Sequence, residues 1–196
     1  MASVSAGVAL LTRAVGFALV CAGGVTAGKL ANPTPCDRWD LRALLAHSSD
    51  SALALREAIG TGCVSAPAVA GTGPGFGPRR RGDPASTFRA EATMLLGACA
   101  VAGAQRQVTV GDRHLAMEIV AATGAIELAV HGWDISAACG AGLPIPPVLA
   151  GDLIEVTPWL VTDATRGGLF GDAVRVTPLA CPGDRLVAML GRTPAA

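Results

Sequence analysis

Ile126-Glu127-Leu128-Ala129-Val130-His131-Gly132-Trp133-Asp134 is an apolar run interrupted by polar side chains at helical spacing. Glu127 and His131 stand four residues apart. On a helix that places a carboxylate and an imidazole on one face, one turn apart. Ile126, Leu128 and Val130 around Glu127 turn it inward, and a buried carboxylate requires a partner. A metal ion or an arginine would satisfy it. His47 ends a similar run, Leu41-Arg42-Ala43-Leu44-Leu45-Ala46-His47. If these two helices pack together, they offer two imidazoles and one carboxylate to a divalent metal and leave its other positions open. Buried polar side chains also commonly find hydrogen-bond partners in a core, so the pattern alone leaves both readings standing. Asp134, seven residues after Glu127, falls on nearly the same face. It suits orientation of a metal-bound imidazole, a salt bridge with an arginine, or a cap.

The composition sets the frame. A chain of 196 residues, 51% hydrophobic and 15% charged, can bury one substantial core, so a single domain over 1–196 is expected. Zero net charge leaves no electrostatic footprint for nucleic acid, and with no tyrosine and 4% aromatics there is no stacking platform. The basic run Arg79-Arg80-Arg81 sits in a glycine- and proline-rich loop and reads as solvated. Cys21, Cys36, Cys63, Cys99, Cys139 and Cys181 are evenly spread with no Cys-x-x-Cys, which fits reduced thiols in a cytoplasmic protein. Three disulfides in a secreted chain are the alternative. Cys139, eight residues past His131, is turned off the Glu127/His131 face and is not counted as a ligand. Arg13 and the apolar stretch Ala14 to Ala22 read as a first bundle helix, with a signal peptide as the competing interpretation. No apolar run reaches the roughly 20 residues of a membrane span.

Along the chain, breakers and periodicity give a mostly helical order. A helix over about 4–23 is followed by Asn32-Pro33-Thr34-Pro35-Cys36-Asp37, with Thr34 or Asp40 as the cap of a second helix running to about Ile59. Residues 61–84 include Gly71, Gly73, Gly75 and Gly77 among several prolines, which predicts a long crossover loop or lid. A third helix is expected over about 85–102. Gln107-Val108-Thr109-Val110 alternates like a strand, and Gly111-Asp112 turns into a fourth helix ending near Ala138. On that helix His114 would lie about 20 Å along the axis from Glu127 and on another face, so His47 is the better third ligand. A fifth helix over about 147–163, interrupted or kinked by Pro158, an extended segment at Ala173-Val174-Arg175-Val176 and a short helix over 184–190 complete the order.

Pro35-Cys36-Asp37-Arg38-Trp39-Asp40-Leu41-Arg42-Ala43-Leu44-Leu45-Ala46-His47, Glu127-Leu128-Ala129-Val130-His131-Gly132-Trp133-Asp134 and the ending Asp184-Arg185-Leu186-Val187-Ala188-Met189-Leu190-Gly191-Arg192 together resemble the actinobacterial branch of the DinB-like metal-binding superfamily. Its best-understood relatives are the mycothiol-dependent maleylpyruvate isomerases. The resemblance covers most of the chain in the same order. It implies an all-α four-helix bundle with a long crossover loop, plus short C-terminal helices and a minor extended segment. It further implies a divalent ion, zinc or else nickel, on His47, Glu127 and His131, with mycothiol as a possible co-substrate. Trp39 and Trp133 are candidates to line the pocket. A single lysine, Lys29, against fourteen arginines suggests a GC-rich genome, which fits the actinomycetes that make mycothiol. The family's isomerases carry a further domain resembling sterol-carrier proteins, for which 196 residues leave no room beside the bundle.

The function expected from these features is a metal-dependent isomerase or thiol transferase acting on a small electrophilic molecule. A metal-water hydrolase, a Lewis-acid cyclase of secondary metabolism and a non-catalytic metal- or small-molecule-binding protein are the alternatives. The expected partners are a small-molecule substrate and a low-molecular-weight thiol, without nucleic acid or membrane, in a monomer or homodimer.

Overall fold

Four helices flank one apolar core in the computed structural model, which describes residues 5–37, 39–64, 82–103, 107–166 and 170–194. They are α1 (Ala6–Ala22), α2 (Leu41–Thr61), α3 (Pro84–Ala100) and α4 (Met117–Ala138). Side-chain chemistry starts three of them. Ser5 Oγ accepts the Val8 N–H, Asp40 Oδ1 accepts the Ala43 N–H, and Asp83 accepts those of Ala85 and Ser86 just ahead of Pro84. Asp40, not Thr34, is therefore the cap of α2; the Thr34 hydroxyl instead donates toward the Cys36 and Trp39 carbonyls. Gly62, at φ 68°, ends α2 in the left-handed conformation that glycine takes without strain.

Cross-helix contacts fix the directions. The Gly7 N–H donates to Glu118, and a β-carbon on Gly132 would meet Ala18, so α1 and α4 run parallel. His47 and Leu55 of α2 meet Glu127 and Gly124 of α4 in the reverse order, so that pair is antiparallel. Arg89 Nη1 reaches the Ala22 carbonyl at the far end of α1, while Thr12 reaches Cys99, so α3 also opposes α1. Two helices thus run each way. Passing from α2 to α3 without reversing direction requires the long crossover anticipated at 61–84. Its ends are seen as the last residue of α2, strand β1 (Cys63–Val64) and the start of α3. The glycines at 71–77 and the three arginines at 79–81 lie outside the described residues.

The core is filled by Leu11, Leu41, Leu44, Leu45, Phe88, Leu95, Ile126, Leu128 and Ile135, all fully buried. Each such side chain stabilises the fold by about 1.5–3 kcal/mol relative to exposure. α4 is buried around most of its circumference because α1, α2 and the C-terminal helix α5 (Pro147–Leu160) all lie against it.

One local expectation is corrected. Gly111-Asp112 does not open the fourth helix; it is the two-residue turn joining β2 (Gln107–Val110) to an antiparallel β3 (Arg113–Ala116). Gly111 has φ 62°, as such turns demand, and α4 begins only at Met117. β1 pairs parallel to β2 on the other side. His114 is consequently on a strand, exposed, with Nδ1 3.1 Å from Thr109 Oγ1. The segment Ala173–Val176 joins no sheet, as an extended stretch of loop; the Val174 N–H binds the Ala188 carbonyl on α7 (Pro182–Met189). A strand needs a neighbouring edge, and an isolated alternating tetrapeptide finds none there.

Pro158 lies inside α5 near its end, and the helix continues to Leu160. The short α6 (Asp163–Arg166) follows. All six cysteines are free thiols, with burial raising Cys21 to about 12. Among the described residues no helix is long and apolar enough to cross a membrane.

Candidate metal centre

α2 presents His47 at the edge of its buried face. Leu44, Leu45 and Ser48 point into the core, while the His47 side chain is 36% exposed. Antiparallel packing sets α4 opposite, with Glu127 29% and His131 10% exposed at the side chain. His47 Nε2 lies 2.9 Å from Glu127 Oε1. Ser51, one turn after His47, donates its hydroxyl to the same oxygen. The His47 and His131 ring centroids are 5.3 Å apart and perpendicular. One ligand atom from each of His47, Glu127 and His131 falls within 4.8 Å of the others. The structure therefore brings together the three side chains singled out in the sequence, and no arginine neutralises Glu127 in the described contacts.

His131 is tethered from behind. Its Nδ1 is 3.0 Å from Oδ2 of the fully buried Asp134, which also accepts from Arg192 Nη2 at 2.9 Å on Oδ2 and from Nε at 3.3 Å on Oδ1. With Nδ1 donating to a carboxylate, Nε2 keeps its lone pair toward the cluster. Trp39 closes another side. Its ring centroid is 4.3 Å from that of His47 at a 32° tilt, and 5.8 Å from that of His131. Trp39 also borders an open groove lined by Ala31, Pro33, Thr34, Asp37 and Asp40. Trp133, two residues past His131, is half-buried and packs on the apolar core.

The electrostatics favour ionised carboxylates. Burial acts to raise Glu127, but the hydrogen bond and charge of His47, the charge of His131 and the Ser51 hydroxyl outweigh it and hold the group at about 2. Burial opposes ionisation of Asp134 as well, yet the His131 hydrogen bond and the Arg192 guanidinium keep it below the usual carboxylate range. Two ring nitrogens and one anionic oxygen, gathered on one side of a bundle and half open to solvent, suit a divalent ion with free coordination positions.

Residues 11–136 match the family model of the mycothiol maleylpyruvate isomerase N-terminal domain. The chain belongs to that family. Neither the curated proteins nor the solved structures contain a match. The part that matches the mycothiol maleylpyruvate isomerase N-terminal domain holds His47, Glu127, His131 and Asp134, whereas α5, α6, α7 and Arg192 lie beyond it.

Sequence reasoning missed two contributors. Ser51 was within reach of it, since it repeats on α2 the four-residue spacing that Glu127 and His131 have on α4. Arg192 was not, because 58 residues separate it from Asp134 and no periodicity spans that interval.

Proposed function

We propose that the chain is a metal-dependent enzyme that acts on a small electrophilic substrate with a low-molecular-weight thiol of the mycothiol type, as an isomerase or S-transferase. The observation that carries this is the convergence of His47, Glu127 and His131 to within 4.8 Å in a domain of this family. These three residues would hold a divalent cation, zinc in the first instance and nickel in the second. When bound, such a cation keeps part of its positive charge and so supplies a position where a thiol is held in its nucleophilic, deprotonated form.

The remaining work falls to the chain itself. Glu127, ionised at neutral pH, furnishes the anionic donor, and Ser51 fixes which way its carboxylate faces. Asp134 keeps the His131 proton on Nδ1. Trp39 walls the His47 and His131 rings with apolar surface on one side. The reduced thiols fit a cytoplasmic location.

Addition of mycothiol to cobalt-substituted protein tests this. A new sulfur-to-cobalt charge-transfer band is the expected result, together with turnover of an electrophile that requires the thiol. An unchanged spectrum at saturating thiol would overturn the thiol-dependent reading and leave water-based chemistry or simple binding.

A further inference from the structure

The one buried arginine of the C-terminal segment points at the back of the metal centre. Arg192 is 5% exposed and grips the fully buried Asp134 with two nitrogens, Nη2 at 2.9 Å from Oδ2 and Nε at 3.3 Å from Oδ1. Asp134 Oδ2 is the atom that meets His131 Nδ1 at 3.0 Å. A carboxylate held at both oxygens by a planar fork cannot swing, so the imidazole it contacts cannot swing either.

The chain is built to deliver this arginine. Leu186 and Val187 bury α7, and the Arg192 N–H returns to the Val187 carbonyl at 2.9 Å. Arg192 Nη1 binds the Leu190 carbonyl at 2.8 Å, which orients the guanidinium within its own turn. Gly191 has φ 83°, and a β-carbon there would lie 2.6 Å from the Gly171 α-carbon, so only glycine lets the segment fold over residue 171 and turn inward. Arg166 Nη1 ties down both sides of that crossing through the Gly171 and Met189 carbonyls. Four separate features thus converge on one side chain whose far end is the support of a candidate ligand.

We propose that Arg192 is a positioning residue for the metal centre: through Asp134 it fixes the rotamer and tautomer of His131 and thereby sets how tightly the site holds its ion. The inference rests on the metal-site reading above and extends it to a segment outside the residues matched to the family. Groups that orient a ligating histidine from behind typically change metal affinity by about 10–100-fold when removed.

The test compares zinc affinity, by competition with a chromophoric chelator, and the cobalt d–d spectrum in wild type, Arg192→Met, Arg192→Lys, Asp134→Asn and the Asp134→Asn/Arg192→Met double variant, with thermal unfolding of each metal-free protein alongside. Arg192→Met is expected to weaken binding roughly 10–100-fold and to shift the cobalt bands. Arg192→Lys, which restores charge but not the fork, should recover part of both. On the Asp134→Asn background the arginine change should add nothing. Should Arg192→Met fail to fold with Asp134 left alone in the core, the double variant decides, since removing both partners leaves no buried charge. Wild-type affinity and spectrum in that double variant would overturn the proposal, as would an undiminished effect of Arg192→Met in the Asp134→Asn protein. Wild-type protein that takes up no zinc or cobalt would bring down the metal site itself and this inference with it, whereas a normal ion in wild type and in Arg192→Met would sink this inference alone.

Discussion

Gly124 of α4 lies directly against Leu55 of α2: a β-carbon at 124 would come within 2.5 Å of Leu55 Cδ2 and 3.1 Å of its Cγ. The contact sits one turn along from the Ser51–Glu127 hydrogen bond, so the missing methyl sets how near α2 approaches α4 where the candidate ligands meet. Gly124→Ala would force Leu55 to another rotamer or push α2 outward, an overpacking cost of about 1–3 kcal/mol that the better helix propensity of alanine offsets only in part. Loss of urea stability together with weaker zinc binding is the expected outcome. Adding Leu55→Ala should cost less in the Gly124→Ala protein than in wild type, because it relieves the clash. Purely additive effects would show that the two side chains do not compete for the same space.

His47→Ala, Glu127→Ala and His131→Ala should each strip most bound metal from the purified protein while leaving helical circular dichroism intact. The surrounding apolar core supports the bundle without them. His114→Ala is the matched control, since that histidine is exposed on β3 and bonded to Thr109. Elemental analysis of the four proteins checks this. Full metal content in the His131→Ala protein would remove the assignment.

Ser51→Ala probes a quieter contribution. The hydroxyl donates to the same Glu127 oxygen that His47 approaches, so without it the carboxylate gains rotational freedom and loses one stabilising hydrogen bond. A fall in zinc affinity of roughly tenfold is expected, at the lower end for groups that orient ligands. Isothermal titration of wild type and variant measures it, and an unchanged dissociation constant would mean that His47 alone fixes Glu127.

The helical order was legible in the sequence from apolar periodicity and chain breakers, and so was the placing of Glu127 and His131 on one helix face. Glu127 and His131 announce themselves because a helix turns a four-residue interval into a shared face, and that relation needs no tertiary information. His47 required a guess about packing, which its own apolar run supported. The hairpin at 107–116 was half visible: β2 alternates clearly, but Arg113-His114-Leu115-Ala116 exposes three of its four side chains and so carries little burial pattern. Gly111-Asp112 reads equally well as a helix start or a hairpin turn, and only the pairing of Val110 with Arg113 distinguishes them. Arg192 lay beyond local reasoning altogether, since a contact across 58 residues depends on how α7 packs.

Acid should destabilise the fold through two carboxylates in particular. Glu127 is held at about 2 against an ordinary 4.5, and Asp134 is held below its ordinary 3.8. Each therefore takes up its proton at higher pH in the unfolded chain than in the folded one, so acidification favours the unfolded chain. The stabilisation they provide is complete above about pH 4.5 and is lost as the pH falls from there toward about 2. Urea midpoints of the metal-free protein measured near pH 7, 5 and 3 read this out, with a marked drop expected only in the last interval of about two pH units. Glu127→Gln and Asp134→Asn, each less stable than wild type at neutral pH, should close most of that gap at the acid end. A gap that stays constant across the series would mean that these groups titrate alike in both states, and that the His47 and Arg192 contacts do not favour their ionised forms.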